Sequence, residues 1–350
     1  MNNNSNGKIE KRTTTAPKEE LEKKGITCIS DALLEVCSHI DGTAKSTSKV
    51  AGISTGLKTL DFQIGGFRPG TYTVLAAKTG MGKTTLAMNI ASSVSKDPDK
   101  AVLYVSTEMN NTDLCLRLIS SEGLLDLKKL SNGALETDEE WEALAEAASS
   151  LANRKLYFCD QSVTTVAEIE NACECIGNLS LVVIDYLQQL EAVDKTSGRG
   201  GNRQQTVSDI SRAIHRLAGR LQVPFLCLSQ FSRASDGRQD KRPKLSDLRD
   251  SGSIEQDADA VLFLYRENYD DSKTPLKGVE EVECIVSKNR HGGVSTAVLQ
   301  WTPKYVKFED VPEPELPFTD EPDEADKEPE AVPQTALPEF QTDDIGQLSA

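Results

Sequence analysis

The stretch Ala77-Lys78-Thr79-Gly80-Met81-Gly82-Lys83-Thr84-Thr85 lies between an apolar, β-rich run at 71–77 and a helical pattern at 83–95. A glycine-punctuated turn that leaves a strand and opens a helix gathers backbone N–H groups at one place, and the helix N-terminus adds partial positive charge. Thr79, Gly80, Met81, Gly82, Lys83, Thr84 and Thr85 are therefore the candidate phosphate-binding residues. Lys83 would neutralise β/γ oxygens and the Thr84 hydroxyl would meet Mg²⁺. The pattern departs from its strict form at Ala77, where a first glycine would stand.

Outward from this turn, short apolar runs at 71–77, 101–106, 155–159, 181–186, 225–229 and 260–265 alternate with helical periodicity at 83–95, 138–151, 165–176 and 206–221. Strands separated by helical crossovers predict an α/β fold with a mostly parallel sheet covered on both faces. Two further runs, 281–287 and 294–301, flank Arg290-His291-Gly292-Gly293 and read as a C-terminal antiparallel hairpin.

The strand ends carry chemistry. The run Leu181-Val182-Val183-Ile184-Asp185 delivers a carboxylate to the same sheet edge as the phosphate turn, where Asp185 can hold Mg²⁺ through water. Glu108 follows the strand at 101–106 and is either a general base for an attacking water or a solvated loop carboxylate. Gln230, directly after the strand at 225–229, either senses the γ-phosphate or caps the next segment.

Charge is unevenly distributed. The 350 residues carry a formal net charge of −16, yet from Glu309 onward fourteen acids face Lys327 alone, which leaves the rest of the chain at about −3. An acidic total is thus compatible with nucleic-acid binding by a nearly neutral body. No window approaches the roughly 20 apolar residues of a membrane span, and no apolar segment follows Met1, so a cytoplasmic protein without a membrane partner is expected. The eight scattered cysteines suit a reducing compartment, and Cys173-x-Cys175 lacks zinc-site spacing.

Residues 1–25 and the proline- and acid-rich 311–350 have the composition of disordered segments. Between them, Leu33, Val36, Cys37 and Ile40 recur at helical spacing over 30–40. A polar linker then runs from about Gly42 to Val50. Such a helix either folds back on its own chain or docks on another subunit.

Taken together, Thr79 to Thr85, Ser106-Thr107-Glu108-Met109, Ile184-Asp185-Tyr186-Leu187-Gln188, Leu228-Ser229-Gln230, Lys241-Arg242-Pro243, Ser246 to Asp259 and Ser287-Lys288-Asn289-Arg290 resemble the C-terminal motor domain of DnaB-family replicative DNA helicases. The resemblance runs from about Ile26 to Asp310, and the 247–259 stretch is its most specific part. It implies a RecA-like ATPase core using ATP and Mg²⁺, assembled as a homohexameric ring that moves 5′ to 3′ on single-stranded DNA. A helicase loader and a primase are implied as further partners.

The resemblance also assigns Glu108 as the catalytic base and sends Lys288 and Arg290 into a neighbouring subunit's ATP site. The bland reading of that pair is a cationic edge strand. It assigns Arg249, Asp250 and Gly252 to DNA phosphates, where the residues alone read as a polar loop with a helix cap. The absence of aromatic residues in that loop suits backbone tracking over base reading.

The expected organisation is a disordered segment 1–25, an amphipathic helix and linker 26–50, a helicase ATPase domain 51–310 and a disordered tail 311–350. Family members usually carry an N-terminal helical collar that meets primase. The short polar lead here points to a separate protein in that role or to a trimmed, phage- or plasmid-type helicase. Two alternatives keep the same motif set: a RecA-like DNA-binding ATPase of recombination or repair that does not unwind, and a hexameric regulatory ATPase with no DNA role.

Overall fold

The computed structural model describes residues 26–45, 50–159, 163–191, 203–230, 238, 241–267 and 278–312. The strands among them are β1 (Tyr72–Ala77), β2 (Ala101–Ser106), β3 (Leu156–Cys159), β4 (Leu179–Asp185), β5 (Phe225–Gln230), β6 (Ala260–Tyr265), β7 (Glu280–Asn289), β8 (Ser295–Thr302) and β9 (Lys307–Asp310). They form one sheet in the order β3-β2-β4-β5-β1-β6-β7-β8-β9. The first six in that order are mutually parallel and the last three antiparallel.

The helices are α1 (Ile29–Lys45), α2 (Lys58–Ile64), α3 (Lys83–Val94), α4 (Asn111–Gly123), α5 (Leu127–Ser131), α6 (Asp138–Ala152), α7 (Val166–Glu174), α8 (Arg203–Leu221) and α9 (Gly252–Asp257). Local chemistry fixes several starts. Asn110, Asp126, Thr137 and Thr165 each accept a backbone N–H from the first turn of the helix they precede, and Thr165 with Glu168 forms a capping box.

Strands β1 and β2 are buried along their whole length, which is why they read as unbroken apolar runs. Alternate residues divide between two cores. Leu75, Ala77, Val102, Tyr104, Leu181 and Val183 join the layer that contains α3 and α4, whereas Val74, Ala76, Leu103, Val105, Val182 and Ile184 join the layer under α7 and α8. This two-residue period puts Asp185 on the α3 side of the sheet.

Three features differ from the sequence reading. Helix α1 continues through Gly42 to Lys45, because an isolated glycine weakens a helix without ending it, so the linker is shorter than expected. Helices α2, α4, α5 and α9 and the 3₁₀ turns lack the long apolar periodicity that marks the other helices. Strand β9 turns the hairpin into a three-stranded antiparallel extension. Its Asp310 carboxylate accepts the Lys58 and Thr59 N–H groups at 2.8 Å each, tying the chain's last described strand to the start of α2. The expected disordered segment 1–25, and all of the expected disordered tail 311–350 beyond Pro312, lie outside the described residues.

All parallel strands end at one sheet edge. Because β7 runs antiparallel to β6, with Lys288 opposite Val261 and Asn289 opposite Ala260, the end of β7 emerges at the other edge, where the parallel strands begin.

Candidate functional site

Four adjacent strands, β2, β4, β5 and β1, converge on the first edge, and register sets what stands side by side. Ser106 pairs with Asp185, and Ala77 with Gln230. The turn after β1 bends sharply at Gly80 (φ 81°) and Gly82 (φ 88°), conformations that side chains oppose. A Cβ on Gly82 would also approach the Phe308 ring to 3.0 Å. Ala77 has no such demand. It is the last residue of an extended strand and fully buried, so a methyl group is tolerated where the strict pattern has glycine.

Lys83 and Thr84 open α3 directly beneath this turn. The Thr84 hydroxyl donates to Asp185 Oδ2 at 2.8 Å, the Tyr104 hydroxyl donates to the same oxygen at 3.1 Å, and Lys83 Nζ donates to the Ser229 carbonyl at 3.3 Å. The Lys83 ammonium also lies 5.3 Å from the Tyr186 ring centre. Burial pulls the Lys83 pKa below the lysine range while Asp185 and Glu108 oppose that shift. Burial likewise raises the Asp185 carboxyl, against the pull of Lys83, Thr84 and Tyr104.

Asp185 Oδ1 is buried and has no hydrogen-bond partner. An orphaned carboxylate oxygen beside a threonine hydroxyl is a donor set that suits a hard divalent cation, so these residues fit Mg²⁺.

Lys83 and Thr84 border a cleft of about 580 Å³, which Lys78, Thr79, Glu108 and Gln230 also line together with the apolar Trp301, Pro303 and Val306. Gln230 Nε2 donates to the Thr79 hydroxyl at 2.6 Å, which links the end of β5 to the phosphate turn.

Two residues here escaped the sequence reading. Arg117 of α4 lines the cleft, and only the helix missed at 111–123 could have pointed to it. Gln188 had no assigned role, although its side chain grips the end of β5: Nε2 donates to Ser229 Oγ at 2.8 Å and to the Gln230 carbonyl at 3.0 Å.

The remaining candidates lie elsewhere. Lys288 and Arg290 are at the opposite edge, where Lys288 Nζ donates to the Glu255 and Gln256 carbonyls and Arg290 Nη2 to the Gln256 carbonyl. Arg249 and Asp250 fall in a 3₁₀ segment, Leu245–Ser251, and Gly252 begins α9. Buried Asp247, Leu248, Ile254 and Ala258 anchor this segment on either side, while the side chains of residues 249–253 are outside the described set.

Residues 52–310 match the DnaB-like helicase C-terminal domain family. The replicative DNA helicase DnaC of Bacillus subtilis (strain 168) is 40% identical over 284 residues, covering 80% of this chain and 61% of that protein. The replicative DNA helicase DnaB of Geobacillus stearothermophilus is 39% identical over 284 residues, with coverage of 80% and 61%. The chain thus spans about three fifths of the length of these relatives.

Among solved structures, an ATPase domain aligns with a TM-score of 0.73 at 32% identity, covering 81% of this chain and 99% of that one. A DnaB-like replicative helicase, studied with its interactions with primase, aligns at 0.71 and 33% identity, covering 82% and 67%. With its parallel core, its phosphate turn and the match across residues 52–310, the chain belongs to the DnaB-like helicase C-terminal domain family.

Proposed function

We propose that this chain is the motor of an ATP-dependent replicative DNA helicase, a head-to-tail homohexameric ring that moves 5′ to 3′ on single-stranded DNA. The observation that carries the reading is the separation of its cations: Lys83 lies at the nucleotide edge, whereas Lys288 and Arg290 lie at the opposite edge, where their own cleft is out of reach. Such an arrangement is completed by a second copy of the chain.

In this reading the backbone N–H groups of Thr79 to Thr85 bind the ATP phosphates and Lys83 neutralises the β/γ oxygens. Thr84 and Asp185 would hold Mg²⁺, which supplies charge neutralisation on the phosphates when bound. Glu108 orients the attacking water and accepts its proton. Gln230, steadied by Gln188 and joined to Thr79, reports the γ-phosphate to β5. Lys288 and Arg290 stabilise transition-state charge in the neighbouring subunit. The 249–252 segment meets DNA phosphates, a role without sequence selectivity.

The family boundaries support a domain at about 51–310, preceded by the linker helix and linker at 26–50 and followed by an acidic tail from 311. A loader and a primase are the remaining proposed partners, the second suggested by the primase named with a structural neighbour.

Strand displacement on forks bearing only a 5′ or only a 3′ tail tests the reading. Displacement confined to the 5′-tailed fork is expected, and Glu108→Gln should abolish it while nucleotide binding persists, with turnover lower by about 10²-fold or more. DNA-stimulated ATP hydrolysis with no displacement on either fork would favour a non-unwinding RecA-like ATPase.

A further inference from the structure

At the sheet edge away from the cleft, one buried carboxylate gathers an unusual number of partners. Asp259 precedes β6 and is 7% exposed. Its N–H donates to the Tyr72 carbonyl at 2.8 Å and its Oδ2 accepts the Tyr72 N–H at 2.8 Å, so main chain and side chain together clamp it to the start of β1. His215 of α8 approaches Oδ2 at 3.5 Å. The other oxygen, Oδ1, accepts from Arg290 Nη1 at 2.8 Å, and the Asp259 carbonyl accepts the Arg290 N–H at 2.8 Å.

Arg290 is thus held at three points: its own N–H and Nη1 on Asp259, and Nη2 on the Gln256 carbonyl at 2.7 Å. Lys288 Nζ takes the Glu255 and Gln256 carbonyls at 2.7 and 3.1 Å. These are end carbonyls of α9, which have no partner within that helix. Two cations two residues apart repel, and burial together with the Arg290 charge lowers the Lys288 pKa. Asp259 and the α9 carbonyls offset that repulsion. Even so, the Arg290 side chain stays 44% exposed.

A free arginine side chain carries rotamer entropy that an unsupported cation would lose on meeting a phosphoryl group. Pre-ordering removes that cost in advance.

We propose that Asp259 is a positioning residue for ATP hydrolysis in the neighbouring subunit: its carboxylate holds the Arg290 guanidinium against the end of α9 and fixes the direction in which that cation leaves its own chain. This rests on the trans assignment of Lys288 and Arg290 made above. Asp259 touches no part of its own cleft. Its substitution acts on turnover next door and leaves nucleotide affinity at home intact.

The test compares full-length Asp259→Asn, Arg290→Ala and the double variant, with Mg²⁺-ATP and oligo(dT). Asparagine keeps an oxygen for the Tyr72 N–H but removes the charge facing Arg290. Expected for Asp259→Asn is a kcat reduced about 10-fold or more, in line with loss of a charge-assisted hydrogen bond, with KM for ATP within about twofold of wild type. The double variant should be no slower than Arg290→Ala alone.

A double variant slower by the product of the two single effects, or a loss confined to KM, would overturn the positioning role while leaving the trans assignment standing. Wild-type turnover by Arg290→Ala would overturn the trans assignment and the proposal with it. Should Asp259→Asn fail to fold, Asp259→Glu, which retains the charge but displaces it by one methylene, is expected to show the same kcat loss and the same masking by Arg290→Ala.

Discussion

Asp185 is under opposing demands at the scale of a single residue. Burial raises its pKa above the ordinary aspartate value, while its unpartnered Oδ1 suits a divalent cation that needs the carboxylate. The stability gained from the raised pKa is fully present below the unfolded value, about 3.9, and is lost as pH rises through the folded value. Cation binding works the other way. The gain in nucleotide affinity from Mg²⁺ is expected to fade on acidification at a higher pH than an ordinary aspartate would impose, and to vanish at every pH in Asp185→Asn. Titration of a fluorescent ADP with and without Mg²⁺ measures this, and a gain that persists unchanged down to about pH 4 would contradict it. Lys83 and Thr84 were legible because a strand, a glycine turn and a helix mark them in consecutive sequence, and Asp185 because it ends an apolar strand of its own. Gln188 and Asp259 were not, since their partners stand 42 and 31 residues away and are chosen by strand register and the return of β7.

Elements were legible in proportion to how much apolar pattern they carry. Of the six parallel strands, β1, β2, β4, β5 and β6 announced themselves through largely buried apolar runs and β3, only partly buried, through its short apolar run alone; β2 and β6 took the expected bounds of 101–106 and 260–265. Strand β9, four residues with only Phe308 buried among charged neighbours, has too little alternation to be seen. Helix α4 does begin with a capping Asn110, but its buried side chains are only Leu114, Leu118 and Ser120, a narrow stripe for 13 residues. Helix α1 was legible as amphipathic, and its apolar side chains, Ile29, Leu33, Val36 and Ile40, are all more than half exposed in the single chain. Burying four such groups on a second copy would contribute several kcal/mol before ordering costs, about 2 kcal/mol each. Deleting residues 1–45 is therefore expected to shift the assembly towards smaller species in sedimentation velocity at low micromolar concentration. An unchanged distribution would show that α1 is not the tether.

For the whole molecule, charge segregation is the dominant property: removing residues 312–350 takes away twelve carboxylates and one lysine from a chain of net charge −16. If this segment competes with DNA phosphate, truncation should tighten binding of a fluorescent oligo(dT) most at low salt, since screening acts within about 10 Å at 0.1 M. Equal affinity with and without it at low ionic strength would leave solubility or partner recruitment as its role. The placement of the cleft and of Arg290 at opposite sheet edges has a further geometric result. A contact that joins them cannot be two-fold symmetric, because each chain then carries one giving face and one receiving face. An open row of such chains always has one cleft fewer completed than it has members, and only closure of the row supplies the last. In the proposed ring, chains with a ruined receiving face, such as Lys83→Ala, and chains with a ruined giving face, such as Arg290→Ala, are therefore expected to silence different positions: the first its own, the second its neighbour's.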